Sequence, residues 1–138
     1  MTQSILLDTH VWIWHVNGST ELKKSTNTLI NQAMQENVLY LSAISVWEFC
    51  MLEAKKRIIS EIPCLEWINH AIQLLHLRLL PLTPTISVES CNLPGEFHED
   101  PADRMIVATA RVENLKLLTR DKKILDYSKK KYVSALSA

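Results

Sequence analysis

The stretch that decides the fold is Asp100-Pro101-Ala102-Asp103-Arg104-Met105-Ile106-Val107-Ala108-Thr109-Ala110. It has the features of the start of a buried helix. Aspartate is a favoured N-cap residue, proline fits the first helical position, and the run from Met105 to Ala110 is almost wholly apolar. We therefore expect a helix that begins near Asp100 and packs into the core.

Asp103 is the exception to this apolar pattern. On a helix it shares one face with the residues three, four and seven positions later, which are Ile106, Val107 and Ala110. That face should point to the core, where an unpaired carboxylate is costly and either shifts its pKa or binds a cation. An acid in the first turn can instead stabilise the helix dipole, so Asp103 alone leaves both interpretations open.

The length and composition are those of one ordinary globular domain. The 138 residues are 47% hydrophobic and 22% charged, and we expect a single domain over residues 1–138. The net charge is zero, so nucleic acid binding would need local basic patches. Three widely spaced cysteines, Cys50, Cys64 and Cys91, argue against a disulfide framework or a zinc site and favour a reducing cytosol.

The sequence lacks the signals of secreted, membrane-spanning and nucleotide-binding proteins. Residues 1–8 contain no basic n-region, Asp8 ends their apolar run, and no apolar run reaches membrane-spanning length. We therefore expect a soluble cytoplasmic protein that does not bind a membrane. The two glycines, Gly18 and Gly95, belong to neither a GxGxxG nor a GxxxxGK[ST] loop, which disfavours dinucleotide and P-loop nucleotide binding.

Short apolar strands alternate with helical patterns along the chain. The predicted strands are residues 4–7, 38–41, 79–82, 115–119 and a last edge strand near 132–133. The predicted helices are a short one around 12–14, 20–36 capped by Ser19 or Thr20, 42–57 capped by Ser42, one from 63, 83–91, one from 100, and 121–127. This alternation predicts an α/β fold with a parallel sheet and helices on both faces. Pro81 places the third strand at an edge, since proline cannot donate to a ladder.

Acidic residues from four segments are predicted to converge at one edge of this sheet. Asp8 ends the first strand, Glu48 lies on an apolar helix stripe after the second, Asp100 and Asp103 begin a helix, and Asp121 follows the fourth strand. Ligands of open parallel sheets bind at the carboxyl ends of the strands. Clustered carboxylates raise each other's pKa unless a cation lies among them, and oxygen ligands without His or Cys favour Mg2+ or Mn2+.

Four motifs of the chain resemble those of the PIN-domain family, and most closely those of the VapC-type toxins of bacterial toxin–antitoxin pairs. They are Ile5-Leu6-Leu7-Asp8-Thr9-His10, Ser42-Ala43-Ile44-Ser45-Val46-Trp47-Glu48, the opening stretch Asp100–Ala110, and Leu117-Leu118-Thr119-Arg120-Asp121. The motifs occur in the family's order over nearly the whole chain. The resemblance implies a three-layer α/β/α sandwich of about five strands in the order 3-2-1-4-5. It also implies an endoribonuclease that depends on Mg2+ or Mn2+.

The resemblance further implies roles for individual residues and partners. Asp8, Glu48, Asp103 and Asp121 would form the catalytic, metal-binding site. Asp100 is a candidate fifth ligand, because this position varies in the family, and Thr119 would hydrogen-bond a site carboxylate. The expected partners are an RNA substrate, a second copy of the chain and a cognate antitoxin whose tail lies near the active site.

Other residues near the acids have two interpretations each. Trp12 and Trp14 follow Asp8 on a helix that could receive a partner's helix, although for the four tryptophans core or interface packing is favoured over stacking on RNA bases. Arg104 either contacts phosphate or pairs with an acid. The basic cluster is either a solvated face or an RNA-backbone track, and it consists of Arg120, Lys122, Lys123, Lys129, Lys130 and Lys131. His10 and His98 lie near the acids, and we expect neither to be catalytic.

Two rival functions remain at the level of sequence. The first is phosphoryl transfer through an aspartyl phosphate at Asp8, which is weakened because Asp8-Thr9-His10 lacks the second aspartate of a DxD motif. The second is a non-catalytic module that binds RNA or protein. The presence of all four acids argues against a module that has lost its catalytic activity.

Overall fold

Five parallel strands form the centre of the molecule. In the computed structural model, which describes residues 3–138, they are β1 (Ile5–Leu7), β2 (Leu39–Ser42), β3 (Arg78–Leu80), β4 (Lys116–Thr119) and β5 (Ala135–Ser137). All neighbouring pairs are parallel, and their order β3-β2-β1-β4-β5 confirms the prediction. Strand β3 lies at the edge of the sheet, as expected, but it ends at Leu80, so Pro81 lies outside the strand instead of within the predicted range 79–82. Residues 1 and 2, with which the predicted single domain begins, lie outside the described residues.

Helices cover both faces of this sheet. They are α1 (Thr9–Val16), α2 (Lys24–Gln35), α3 (Ala43–Ala54), α4 (Cys64–Leu74), α5 (Pro84–Cys91), α6 (Pro101–Val112) and α7 (Lys122–Lys129). Alternate strand residues face opposite layers. Ile5, Leu7 and Leu118 pack with α1 to α4, whereas Leu6 and Leu117 pack with α5 to α7. The predicted α/β/α sandwich is therefore confirmed. None of the helices within residues 3–138 is long and apolar enough to cross a membrane.

Trp12 lies inside the core, in the layer formed by α1 to α4. Its side chain is fully buried and lies edge-on to Phe49 and Trp67, with ring centroids 6.1 Å and 5.2 Å away. Phe49 and Trp67 stack in parallel at 4.1 Å. The core interpretation is therefore right for Trp12, and its predicted role in receiving a partner's helix is wrong, because no face of the indole is free.

Three helices begin at the residues that their sequence signals predict. The Ser42 hydroxyl accepts a hydrogen bond from the Ile44 amide, and the Thr83 hydroxyl accepts one from the Ile86 amide. At the start of α6, the Asp100 carboxylate accepts one from the Asp103 amide. These side chains satisfy amide groups that have no partner within the first helical turn. Two of the three helices, α3 and α6, carry predicted site acids, so capping contributes to placing the site.

The predicted start of α2 is wrong. The helix begins at Lys24, and its N-cap, Lys23, makes no capping hydrogen bond through its side chain. The Ser19 hydroxyl instead accepts from the Glu21 amide in the preceding turn. A serine followed by polar residues fits either a helix cap or a short turn, and here the turn forms.

The predicted end of α3 is also wrong. The helix ends at Ala54 instead of Arg57, since Lys56 has a φ of 58°. This left-handed conformation stops the helical hydrogen-bond pattern. As a result, Lys55 and Arg57 lie just beyond the helix and are exposed.

The last strand lies further along the chain than the predicted position near Tyr132 and Val133. It spans Ala135–Ser137, and pairing with β4 is preceded by a hydrogen bond from the Leu117 amide to the Ser134 carbonyl. The Tyr132 carbonyl is used elsewhere, because it accepts a hydrogen bond from Arg111. An aromatic, β-branched pair indicates a strand by propensity, but here side-chain packing holds those two residues outside the sheet.

Candidate active site

Asp8 is the buried centre of the candidate site. It follows β1, caps α1 and is 8% exposed. Its Oδ1 atom accepts from the Thr9 amide at 2.8 Å, and its Oδ2 atom accepts from the Thr119 hydroxyl at 2.6 Å. Burial raises the pKa of Asp8 above its ordinary value, although these two hydrogen bonds act in the opposite direction. Nearby Asp121 raises that pKa further.

Thr119 connects two of the acidic segments. Besides donating to Asp8, its hydroxyl accepts a hydrogen bond from the Asp121 amide at 2.9 Å. Asp121 in turn caps α7 by accepting from the amides of Lys123 and Ile124, at 2.8 Å and 3.2 Å. The hydrogen bond predicted between Thr119 and a site carboxylate is therefore present. It fixes the end of β4 and the start of α7 relative to Asp8.

Glu48 is held against Asp8 by a hydroxyl that sequence reasoning missed. The Thr9 hydroxyl donates to the Oε1 atom of Glu48 at 2.5 Å and lies 2.8 Å from the hydroxyl of Ser45. Burial raises the pKa of Glu48, and repulsion from Asp8 and Asp100 adds to the shift. The signal that could have identified Thr9 is a hydroxyl side chain directly after the strand-ending acid. At that junction it can reach the neighbouring helix α3.

The other four acids all raise the pKa of Asp103. Its pKa is raised from 3.8 to about 8, first by burial and then by repulsion from Asp100, Asp8, Asp121 and Glu48. Each of these four carboxyl groups therefore lies near enough to Asp103 to disfavour its charged form. The sequence prediction that these four segments converge at the carboxyl edge of the sheet agrees with this arrangement.

His98 lies beside two of these acids. Its Nε2 atom is 3.1 Å from the Oδ2 atom of Asp103, and its Nδ1 atom accepts from the Asp100 amide at 3.4 Å. The Nε2 atom is buried and forms no hydrogen bond within residues 3–138, so its approach to Asp103 is close without being a hydrogen bond. The prediction that His98 is not catalytic stays a prediction.

The five carboxylates have the chemistry of a site for a hard cation. Among residues 3–138, no lysine or arginine lies within ion-pair distance of Asp8, Glu48, Asp100, Asp103 or Asp121. In the same residues, no three His, Cys, Asp or Glu side chains are placed to hold one ion together. Mg2+ commonly uses one or two carboxylates and completes its shell with water and phosphate oxygens. The donor set therefore fits Mg2+ or Mn2+ bound through few side chains.

Within the described residues, Arg104 does not form the ion pair with an acid that was one of its two predicted contacts. Its guanidinium donates to three backbone carbonyls: those of Ser90 at 2.8 Å, Phe97 at 2.9 Å and His98 at 3.2 Å. No acid pairs with it in the described part of the chain. Arg104 thus anchors the loop before α6 through its Nε and Nη1 atoms, and its contact with an RNA phosphate stays a prediction.

The other side chains predicted to contact RNA differ in whether they already bind other groups of the protein. Arg120 donates to the Glu21 carbonyl and lies over the Trp14 ring at 5.7 Å, so it joins α1 to the loop before α2. Lys122 and Lys123 are exposed at the start of α7, directly after Asp121, and form no ion pair within residues 3–138. The two lysines can meet an incoming phosphate, and their role in RNA binding stays a prediction.

Comparison with known proteins identifies the family of the chain. The family model described as PIN domain matches residues 5–130, which include all five acids. The chain belongs to the PIN-domain family. Ribonuclease VapC22 of Mycobacterium tuberculosis is 33% identical to it over 121 residues, which cover 88% of this chain and 89% of that protein.

Solved structures of low identity share the fold. A DNA-bound VapBC from Salmonella typhimurium superposes with a TM-score of 0.72 at 14% identity, covering 98% of each chain. A toxin–antitoxin complex from Klebsiella pneumoniae gives a TM-score of 0.58 at 23% identity, covering 88% of this chain and 90% of that one. These likenesses concern the fold alone.

Replacing Thr119 by valine should destabilise the protein. Thr119→Val keeps the side-chain shape but leaves an oxygen of Asp8 and the amide of Asp121 without their partner, at a cost of about 1–3 kcal/mol for each buried group. We expect the midpoint of thermal unfolding to fall by several degrees. Thr119→Ser, which keeps the hydroxyl, is the matched control. Equal midpoints for Thr119→Val and wild type would contradict the proposed link.

The pKa of Asp103 predicts how stability depends on pH in the presence of chelator. Between its unfolded value of 3.8 and its folded value of about 8, the folded chain holds a proton that the unfolded chain has released. Stability should therefore fall as the pH rises through this window. In Asp103→Asn this loss should be smaller, so the variant should gain more in melting temperature at pH 8 than at pH 4. Glu66→Gln, at an exposed acid of α4, is the control, and equal gains at both pH values would contradict the prediction.

Proposed function

We propose that this protein is an Mg2+- or Mn2+-dependent endoribonuclease and the toxin of a type II toxin–antitoxin pair. The observation that carries the proposal is the set of five mutually repelling acids at the carboxyl edge of the sheet, without lysine or arginine partners in the described residues. Such a set is costly to fold and becomes favourable when a cation neutralises it.

The residues of the site divide into ligands and supports. Asp8, Glu48, Asp103 and Asp121 would hold the cation, directly or through bound waters, with Asp100 as a fifth candidate. A divalent cation in such a site acts as a Lewis acid and stabilises the charge that develops during phosphodiester hydrolysis. Thr119 keeps the carboxylate of Asp8 in one orientation, since it donates to a single oxygen. Thr9 does the same for Glu48.

Similarity to named proteins supports the choice of RNA as the substrate. The relative from Mycobacterium tuberculosis is named a ribonuclease and is 33% identical over most of both chains. We infer that this chain also cleaves RNA, as one domain acting in the cytoplasm. Exposed Lys122 and Lys123, next to Asp121, would contact the RNA backbone.

The rival of phosphoryl transfer through Asp8 is disfavoured by the surroundings of that residue. A phosphate acceptor needs a carboxylate oxygen that is free to attack. Asp8 is 8% exposed, and each of its oxygens already accepts a hydrogen bond, one from Thr9 and one from Thr119. These hydrogen bonds hold the carboxylate in one position. A fixed carboxylate is better suited to binding a cation than to nucleophilic attack.

The proposed partners are a cognate antitoxin and a second copy of the chain. A similar fold occurs in a toxin–antitoxin complex from Klebsiella pneumoniae, which supports the first partner. Large exposed apolar side chains on α4, α5 and the sheet edges give the surface for such contacts. They are Leu74, Leu79, Leu82, Val88 and Leu136.

A nuclease assay on pooled RNA tests the catalytic proposal. Wild type should cleave RNA with Mg2+ or Mn2+ and lose the activity with a chelator. Asp8→Asn and Asp103→Asn should show no cleavage above background while remaining folded by circular dichroism. Asp126→Asn, at an exposed acid of α7, is the matched control and should retain full activity.

Two outcomes of this assay separate the alternatives. Full activity of Asp8→Asn with Mg2+ present would rule out the assigned site. A folded wild-type protein without activity under any divalent cation would favour the non-catalytic binding module.

Expression in a bacterial host tests the toxin proposal. The wild-type chain alone should arrest growth, because uncontrolled RNA cleavage depletes the cell of intact RNA. The Asp8→Asn chain, expressed to the same level, should be tolerated. A wild-type chain that is harmless and monomeric but cleaves RNA in the tube would refute the toxin role and leave the nuclease intact.

A further inference from the structure

A groove of about 260 Å³ opens beside the acids, between α3 and the start of α6. Two candidate ligands, Glu48 and Asp100, form part of its wall. The exposed side chain of Trp47 and the cations Lys55 and Arg57 form another part. The groove therefore joins the candidate active site to an aromatic ring and two positive charges.

Helical spacing explains why α3 presents this combination. Glu48 and Leu52 are four residues apart and Lys55 is three further on, so the three lie along one face of the helix and its C-cap. Trp47 and Met51 form the adjacent row. At 1.5 Å per residue, the cation lies about 10 Å along the helix from the acid. The groove thus runs from negative to positive charge along α3.

Trp47 differs from the other tryptophans of the chain. Trp12 is fully buried, Trp67 stacks on Phe49, and Trp14 lies under Arg120, whereas the side chain of Trp47 is 54% exposed. A single exposed apolar residue is ordinary on a protein surface. An exposed indole beside a candidate ligand, in a groove with two exposed cations that form no ion pair within residues 3–138, is a more specific arrangement.

We propose that this groove binds the nucleotide next to the cleaved phosphodiester of single-stranded RNA. The base stacks on Trp47, and the phosphates that follow it bind Lys55 and Arg57. Stacking on aromatic rings combined with a basic track is how proteins bind single strands without sequence preference. The inference rests on the proposed ribonuclease function and adds the side chains that hold the strand beside the acids.

The positive charges of the groove and the accessibility of unpaired bases both favour single-stranded RNA as its ligand. A strand whose cleaved phosphodiester lies at the acids, with the cation bound, has its neighbouring phosphates within reach of Lys55 and Arg57. Within a duplex each base is already stacked on both faces, so Trp47 has nothing to stack on. The site should therefore prefer single strands, loops and ends over paired RNA.

Binding of a short fluorescent RNA to the full chain tests the inference. The Asp8→Asn background prevents cleavage, and fluorescence anisotropy reports affinity for a single strand and for a duplex of the same sequence. Trp47→Ala should weaken single-strand binding by about ten-fold or more, and Trp47→Phe should retain most of the affinity. Leu65→Ala, at an exposed apolar residue of α4 outside the groove, is the matched control and should bind as the parent does.

The salt dependence of binding gives a second measurement. Replacing Lys55 and Arg57 together by alanine should reduce the slope of log affinity against log salt by about 0.7 for each cation lost. An unchanged slope would overturn the proposed phosphate contacts. This readout stays decisive if Trp47→Ala alters folding or assembly.

Three results distinguish failure of this inference from failure of the proposed function. If wild type cleaves RNA and the Trp47→Ala chain binds and cleaves equally well, the groove is not the subsite and the nuclease stands. If Trp47→Ala halves the molecular mass in solution while affinity per protomer is unchanged, this face is an interface between copies and the inference is overturned. If wild type cleaves no RNA with Mg2+ or Mn2+, the proposed function itself fails.

Discussion

The burial of one carboxylate, that of Asp8, is the constraint on which the rest of the structure depends. A charged group at the end of the central strand is stable only if hydrogen bonds replace the water that it has lost. Thr9 and Thr119 supply these bonds from the following helix and the neighbouring strand. Because the Thr119 hydroxyl also accepts from the Asp121 amide, one residue couples β1, β4 and α7. The site is therefore built into the sheet.

Repulsion among the acids opposes the helix packing that brings them together. The helix starting at Asp100 packs its apolar face into the core and, in doing so, carries Asp103 into the field of four other acids. The hydrophobic face of this helix, with Ile106 and Val107 fully buried, offsets the repulsion. We expect this repulsion among the acids to serve a function, since carboxylates with strongly shifted pKa values are concentrated at functional sites.

Features that follow from local sequence rules were predicted, whereas contacts between side chains far apart in the sequence were missed. Alternation of elements predicted a parallel sheet, Pro81 predicted an edge strand, and a single capping residue located the start of α6, whereas the strand order was implied by the family resemblance. The carbonyl contacts of Arg104 were not predictable, because they depend on which loop packs beside the start of α6. Thr9 was missed for the same reason: its hydroxyl reaches Glu48 from a separate helix, 39 residues away.

A protein with zero net charge can still bind RNA if its charges are separated. Here the acids lie at the end of the sheet, and exposed cations lie on either side, Lys122 and Lys123 on α7 and Lys55 after α3. RNA phosphates are attracted to these flanks and repelled by the acids between them. A divalent cation removes that repulsion, so RNA and cation should each strengthen the binding of the other. Affinity for RNA measured without a divalent cation would then report the flanks alone, and the cation-dependent part would report the acids.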